Sequence, residues 1–134
     1  MPFVLEFPVD WVDTDALGIV HFTNFFRYFE RAETEMLKRL GIDYNEIFEK
    51  GYAIPRVEAF CKYYKPLRYG DQAKVLLRVS EIGDKHYKYS FEILNSKTNE
   101  KNAEGYVTIV FIDKAKFKAI QIPNFIREKL ELIK

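Results

Sequence analysis

The sequence predicts an α+β fold in which one long helix lies on an antiparallel sheet. One stripe of apolar residues recurs at three- and four-residue steps from Phe22 to Leu40, the signature of a one-sided helix. After Tyr52 come four segments of strand length with period-two or continuous apolar patterns. Short turns join those segments, and strands joined by short turns pair antiparallel. A helix with one apolar stripe must bury it, and the sheet is the surface available.

The elements follow in chain order. Residues 3–12 place Phe3, Leu5, Phe7, Val9 and Trp11 on one face, a half-buried strand. Pro8 sends that strand to an edge or a bulge. Asp13-Thr14-Asp15-Ala16-Leu17-Gly18 is rich in turn formers. The helix then opens at Phe22, with Phe22, Phe25, Phe26, Phe29, Ala32, Met36, Leu37 and Leu40 inward. Asn24, Arg27, Arg31, Thr34, Glu35 and Lys38 cover its other side, and Gly41 ends it at a left-handed cap. Asp43 caps a short second helix with Ile47 and Phe48 inward. Ala53–Tyr64, Ala73–Ile82, His86–Leu94 and Glu104–Ile112 complete a five-stranded sheet. Within the last, Tyr106–Ile112 suits a central strand buried on both faces. Pro123–Ile133 reads as a closing helix with Pro123 near its first position.

A chain of 134 residues fits one domain, residues 1–134. With 48% hydrophobic and 31% charged residues it is a folded, water-soluble composition. Much of the 12 Phe, 9 Tyr and 1 Trp must fill the core, and a surplus would suit an apolar pocket or a subunit interface. A net charge of +1 argues against a nucleic-acid surface. Cys61 is the single cysteine and makes no internal disulfide, which points to a reducing compartment. There is no leader pattern at the N-terminus and no apolar run of about 18 residues, so the expected address is the cytoplasm without membrane insertion. Two His and one Cys are too few for a metal cluster, so no metal is expected.

The informative stretch is Val12–Glu33. A strand ends, a turn with two carboxylates follows, and a helix begins. The first turn of a helix has unpaired N–H groups and partial positive charge, which can hold a developing oxyanion. Gly18 lets the backbone approach a ligand closely. A carboxylate beside a carbonyl held there can act as nucleophile or as base on water. The plain alternative stays open: an Asp before a helix is commonly a cap or part of an Asx-turn.

Asp13-Thr14-Asp15, Gly18-Ile19-Val20, Asn24-Phe25-Phe26 and Glu30-Arg31-Ala32 together resemble the signature of the 4-hydroxybenzoyl-CoA thioesterase family of hotdog proteins, including the Tol-Pal-associated acyl-CoA thioesterases. A second, less specific piece is Tyr64-Lys65-Pro66-Leu67-Arg68-Tyr69-Gly70-Asp71. The resemblance implies a hotdog fold, a five-stranded antiparallel sheet wrapped around one long central helix. It also implies acyl-CoA hydrolysis, with Asp15 as the catalytic carboxylate, the Phe22 backbone N–H as oxyanion donor and Gly18 admitting the thioester. Asp13 and Asn24 are expected to support the turn and the helix start. His21 stands one step before the place where many Tol-Pal-type members carry a histidine, and is given a supporting role.

Phe26 and Tyr28 are expected to line the acyl pocket. Lys65, Arg68, Lys85 and Lys88 are candidates for the CoA phosphates, since anionic phosphate favours Arg and Lys. Glu30 is expected as a buried partner of Arg31, Arg27 or nearby backbone. No cofactor is implied, because CoA is part of the substrate; an acyl-carrier-protein thioester is the other candidate. The resemblance further implies a homodimer at minimum, commonly a homotetramer, with active sites at the interface. Two rival functions remain: a hotdog enoyl-CoA hydratase or dehydratase using Asp15 and His21, and a non-enzymatic acyl-binding module.

Overall fold

The computed structural model describes residues 2–134. β1 (Phe3–Pro8) leads through a short 3-10 turn (Trp11–Asp13) and a tight loop to α1 (Asn24–Leu40). After α2 (Tyr44–Glu49) come β2 (Tyr52–Ala53), β3 (Arg56–Tyr63), β4 (Gln72–Ile82), β5 (His86–Asn95) and β6 (Lys101–Val110). The chain closes with β7 (Ile112–Asp113), β8 (Lys118–Ala119) and α3 (Asn124–Glu131). The main sheet has the order β1-β4-β5-β6-β3, with every neighbouring pair antiparallel. β2, β7 and β8 form a small second sheet that the sequence reading did not anticipate.

Local chemistry accounts for the elements. Gly41 takes φ +73°, and its N–H reaches back to the carbonyls of Leu37 and Lys38, which ends α1. The Asp43 side chain accepts the Asn45 N–H at 2.9 Å and starts α2. α1 buries Phe25, Phe29, Ala32, Met36 and Leu37, and the sheet meets it with buried residues such as Val75, Leu77, Tyr89, Phe91 and Ile93. Phe29 stacks on Phe91 with centroids 4.2 Å apart and planes 10° off parallel. A fully buried ring of this kind contributes roughly 1.5–3 kcal/mol. β6 makes room for it: a Cβ on Gly105 would stand 3.0 Å from the Phe29 ring.

Several expectations are corrected. Trp11 is 77% exposed, because pairing of β1 with β4 stops at Pro8 and the chain curls away. α1 begins at Asn24, so Phe22 precedes it, and Phe22 is 61% exposed. Phe48 is exposed while Ile47 is buried. The strand expected over residues 53–64 is cut at Pro55; Tyr52–Ala53 pairs with β7 and the remainder pairs with β6. The run Tyr106–Ile112 is half-buried over Tyr106–Thr108, because the neighbour on that side is β3. β3 is an edge strand, and all its residues but Cys61 are exposed. Among the described residues, no helix is long and apolar enough to cross a membrane.

Candidate functional site

The loop between β1 and α1 folds on itself. Thr14 bridges Val20 antiparallel, Asp15 N–H donates to the Ile19 carbonyl at 2.9 Å, and Gly18 N–H donates to the Asp15 carbonyl at 2.9 Å. Gly18 takes φ +78°, which L side chains resist; a Cβ there would meet nothing within 4 Å. Glycine is therefore needed for the conformation, and the space over it is open. The second sequence motif docks directly on this loop: Ile19 bridges Arg68, and Val20 N–H donates to the Leu67 carbonyl at 2.8 Å.

Asp13 fixes the loop to the helix. It is 4% exposed. Its Oδ1 faces Arg27 Nη1 at 3.2 Å, and its Oδ2 accepts the Tyr28 hydroxyl at 3.0 Å. Its carbonyl accepts the His21 N–H at 2.9 Å and the Asn24 side-chain amide at 2.8 Å. Burial first, then the hydrogen bond to Asp13, holds the Tyr28 phenol well above its ordinary range. Removing that hydroxyl leaves a buried carboxylate oxygen short of a donor. Tyr28→Phe should therefore lower stability by about 1.5–3 kcal/mol, read as an earlier midpoint in a denaturant titration; an unmoved midpoint would show that Arg27 alone satisfies Asp13.

Asp15 faces the other way. Its Oδ1 accepts the Leu17 N–H at 2.9 Å in an Asx-turn, and its side chain lines an open groove of about 440 Å³. Leu17, Ile19, Phe22, Phe25, Tyr63 and Lys65 are further walls of that groove. The backbone amides around Phe22 are committed: His21 to Asp13, Thr23 to His21 Nδ1, Asn24 to the His21 carbonyl, Phe25 to the Phe22 carbonyl. Among the described residues, the Phe22 N–H donates to nothing. The Phe22 carbonyl accepts the Tyr63 hydroxyl at 2.8 Å, and Tyr63 packs edge-on against Phe25 at 5.0 Å. Burial, then neighbouring Cys61, pushes the Tyr63 phenol up to about 12, so it stays a donor. A second groove, of about 430 Å³, lies at the Arg56 end of β3. Volume does not separate the two, but only the first combines the Asp15 carboxylate with an uncommitted amide.

The other expected residues divide. Lys65 lines the groove, though its ammonium pairs with Glu100, and Arg68 is exposed on the docked motif. His21 does not bond Asp15; its Nδ1 meets Thr23 Oγ1 at 2.7 Å and its ring stacks on Phe22 at 4.6 Å. Tyr28 points away from the groove to Asp13, so within this chain it is no wall of an acyl pocket beside Asp15. Phe26 lines a different cavity deeper along α1. Lys85 and Lys88 sit at the β4–β5 end of the sheet, with Lys88 4.0 Å over the Tyr106 ring. β4 has 11 residues, so that end is on the order of 35 Å from the Asp15 loop.

Glu30 is exposed, not buried: Arg27 is taken by Asp13, and Arg31 lies 4.0 Å over the Phe7 ring. The buried helix carboxylate is Glu33, paired with Arg56. Burial pushes the Glu33 carboxyl above its ordinary range, against the pull of Arg56. Tyr64, the first residue of the second motif, and Tyr63 also wall the groove; Tyr63 was missed, since an exposed tyrosine on a strand carries no pattern of its own.

The profile of the thioesterase-like superfamily matches residues 9–130. The chain belongs to the thioesterase-like superfamily. Members of this group that resemble the chain are named acyl-CoA thioesterases and thioester hydrolases. Among similar members, a protein of Aquifex aeolicus that carries only the provisional name of an esterase is 36% identical over 107 residues, covering 76% of this chain and 84% of that one. The acyl-CoA thioester hydrolase YbgC of Escherichia coli is 26% identical over 118 residues, covering 88% and 87%. The solved structure of BH1999, a gentisyl-coenzyme A thioesterase, superposes with a TM-score of 0.83 at 28% identity, covering 95% of this chain and 98% of that one.

Proposed function

We propose that the protein hydrolyses acyl-CoA thioesters to a carboxylic acid and CoA in the Asp15 groove. The observation that carries this is the uncommitted Phe22 N–H on the same groove as the Asp15 carboxylate. The thioester carbonyl takes that N–H, aided by the positive end of α1, and its oxygen can then accept charge. The Asp15 oxygen not bonded to Leu17 attacks the carbonyl carbon, or takes a proton from a water that does so. The tetrahedral species expels the CoA thiolate. On the nucleophilic route, water then hydrolyses the acyl-Asp15 anhydride and regenerates the carboxylate.

Gly18 leaves the space over the loop open to the incoming thioester, and His21 holds the segment before the helix through Thr23. Lys65 and Arg68 are the basic groups beside the groove suited to the CoA phosphates. No cofactor enters this scheme, and an acyl-carrier-protein thioester fits the same chemistry. The exposed edge of β3, with its unpaired backbone groups, is the surface along which two copies would join their sheets. A homodimer, and beyond it a tetramer, completes this reading, with the cytoplasm as its setting. Light scattering should give at least twice the 15.9 kDa of one chain; a monomer at all concentrations would rule the pairing out.

The test of function is a thiol-release screen over short, long and aromatic acyl-CoAs. Free thiol from at least one class is expected. Loss of enoyl absorbance without free thiol would turn the assignment to hydration, and binding without turnover across the panel would leave an acyl-binding module.

A further inference from the structure

The Phe22 N–H assigned to the oxyanion belongs to the peptide between His21 and Phe22. The backbone on either side of that peptide is held: the His21 N–H donates to the Asp13 carbonyl at 2.9 Å, and the His21 carbonyl accepts the Asn24 N–H at 2.9 Å. A further hold comes from the His21 side chain. Its Nδ1 lies 2.7 Å from Thr23 Oγ1 and accepts the Thr23 N–H at 3.3 Å. Its ring stacks on Phe22, with centroids 4.6 Å apart and planes 29° off parallel. An imidazole that reaches back to the amide two residues on acts as Asp15 does for Leu17 in the same loop. Thr23 stands directly before α1, yet its hydroxyl caps no amide of that helix. It is spent on His21 instead.

These bonds fix the protonation state of the ring. A backbone N–H only donates, so Nδ1 presents its lone pair and the neutral imidazole carries its hydrogen on Nε2. The Thr23 hydroxyl then donates to Nδ1 as well. A proton on Nδ1 would reverse that bond and abolish the other, because Nδ1–H would stand against the Thr23 N–H. The peptide that follows the oxyanion donor would lose its latch. The same proton would also bring positive charge toward the oxyanion, but water screens the charge of a ring that is not buried. The titratable groups around it are engaged elsewhere. Asp13 of the loop is held by Arg27 and Tyr28 of α1, and Asp15 by the Leu17 N–H. Tyr63 of β3 is held by the Phe22 carbonyl, and Lys65 of the docked motif by Glu100. Among the described residues, the hydrogen bonds of the His21 ring go to Thr23 alone.

We propose that His21 is a positioning residue for the Phe22 amide and works only as the neutral imidazole, so that its protonation slows hydrolysis without any contact with the substrate. The proposal rests on the thioesterase reading above. The latch acts on the one donor that must point at the developing charge, and preorganised direction is what gives such a donor its worth. A misplacement of about 1 Å at a reacting centre can cost ~10²-fold in rate, so a loosened peptide shows in kcat before it shows in substrate affinity.

Two measurements on the full chain test this. The first follows thiol release from one acyl-CoA that the wild type cleaves, between about pH 5 and 8, the interval in which histidine changes charge. The wild-type kcat should fall by about tenfold toward the acid end. His21→Asn keeps an oxygen that can accept the Thr23 N–H and does not titrate, so it should retain roughly a third or more of the kcat at neutral pH and lose the acid fall. His21→Phe keeps the ring stack and has no acceptor; its kcat should drop about tenfold or more across the range while KM stays within about threefold. If His21→Phe unfolds early, His21→Asn still decides, since it keeps the acceptor and removes the titration. The second measurement is heteronuclear NMR of the imidazole, which needs no turnover. Nδ1 should appear as the bare acceptor and Nε2 as the protonated nitrogen, and the Thr23 amide resonance should move as the ring takes up its proton. Hydrogen on Nδ1 of the neutral ring, wild-type kcat in His21→Phe, or an acid fall unchanged in His21→Asn would overturn the proposal. A latch intact by NMR with no thioester cleaved by any form of the protein would instead remove the thioesterase reading on which the proposal stands.

Discussion

Asp15→Asn should lower kcat for thioester hydrolysis at least ~10²-fold while leaving the melting temperature where it was. The two halves of this result have separate causes. Asparagine keeps the side-chain oxygen that accepts the Leu17 N–H, so the Asx-turn at the groove survives. The loop is held in addition by backbone bonds to Ile19 and by the docked motif at Leu67, none of which involves the carboxylate. What asparagine cannot do is attack a carbonyl as an anion or accept a proton from water. If substrate affinity stays and turnover stays with it, Asp15 is only a turn residue. If Tm falls along with turnover, the loss has a structural cause and says nothing about the chemistry. The informative pairing is thiol release measured beside thermal unfolding on the same preparation.

Gly105→Ala should be the most destabilising single-methyl change in the sheet. The added Cβ would stand 2.1 Å from the Phe60 carbonyl oxygen and 3.0 Å from the Phe29 ring. The first contact is with backbone, which cannot turn aside as a side chain can. Either β3 moves away from β6 or Phe29 leaves its stack on Phe91, and each loses packing that the core depends on. Overpacking of this kind costs about 3 kcal/mol, which for a chain of this length lowers Tm by roughly 10 °C. Circular dichroism against temperature reads it directly. A shift under about 2 °C would mean that β3 is held so loosely that it gives way without loss. Gly18→Ala should cost less, since only the backbone conformation resists it.

What was legible in the sequence was whatever depends on neighbours along the chain. Gly41 and Asp43 terminate and start helices through bonds within four residues, and both could be placed from residue type alone. The stripe of α1 was legible because one face of a helix has one environment. Its start was misread because Phe22 stands three residues before Phe25 and extends the period by a turn. The chain there is instead held by the Asp13 carbonyl, a bond that periodicity does not encode. Glu33 left a signal: it is a charged residue between Ala32 and Met36 on an otherwise buried face. Its partner Arg56 is 23 residues away on another element, and such pairing is not written in spacing. Tyr28 looked like a pocket wall because aromatics line pockets, but its direction was set by Asp13. Lys85 stands far from the Asp15 loop of its own chain for a topological reason. The connections at the two ends of β4 lie at opposite ends of the sheet, so basic residues in both cannot serve one mouth within a single chain.

The hydrogen bond from the Tyr63 hydroxyl to the Phe22 carbonyl couples two things usually separate. Tyr63 belongs to the unpaired margin of the sheet, while Phe22 holds the amide assigned to the reaction. Whatever settles on that margin steadies the tyrosine, and through it the peptide that must hold still as charge develops. On the proposed pairing of two copies, assembly and catalytic readiness form one equilibrium, and turnover per chain should fall on dilution in a way that an enzyme complete in a single polypeptide would never show.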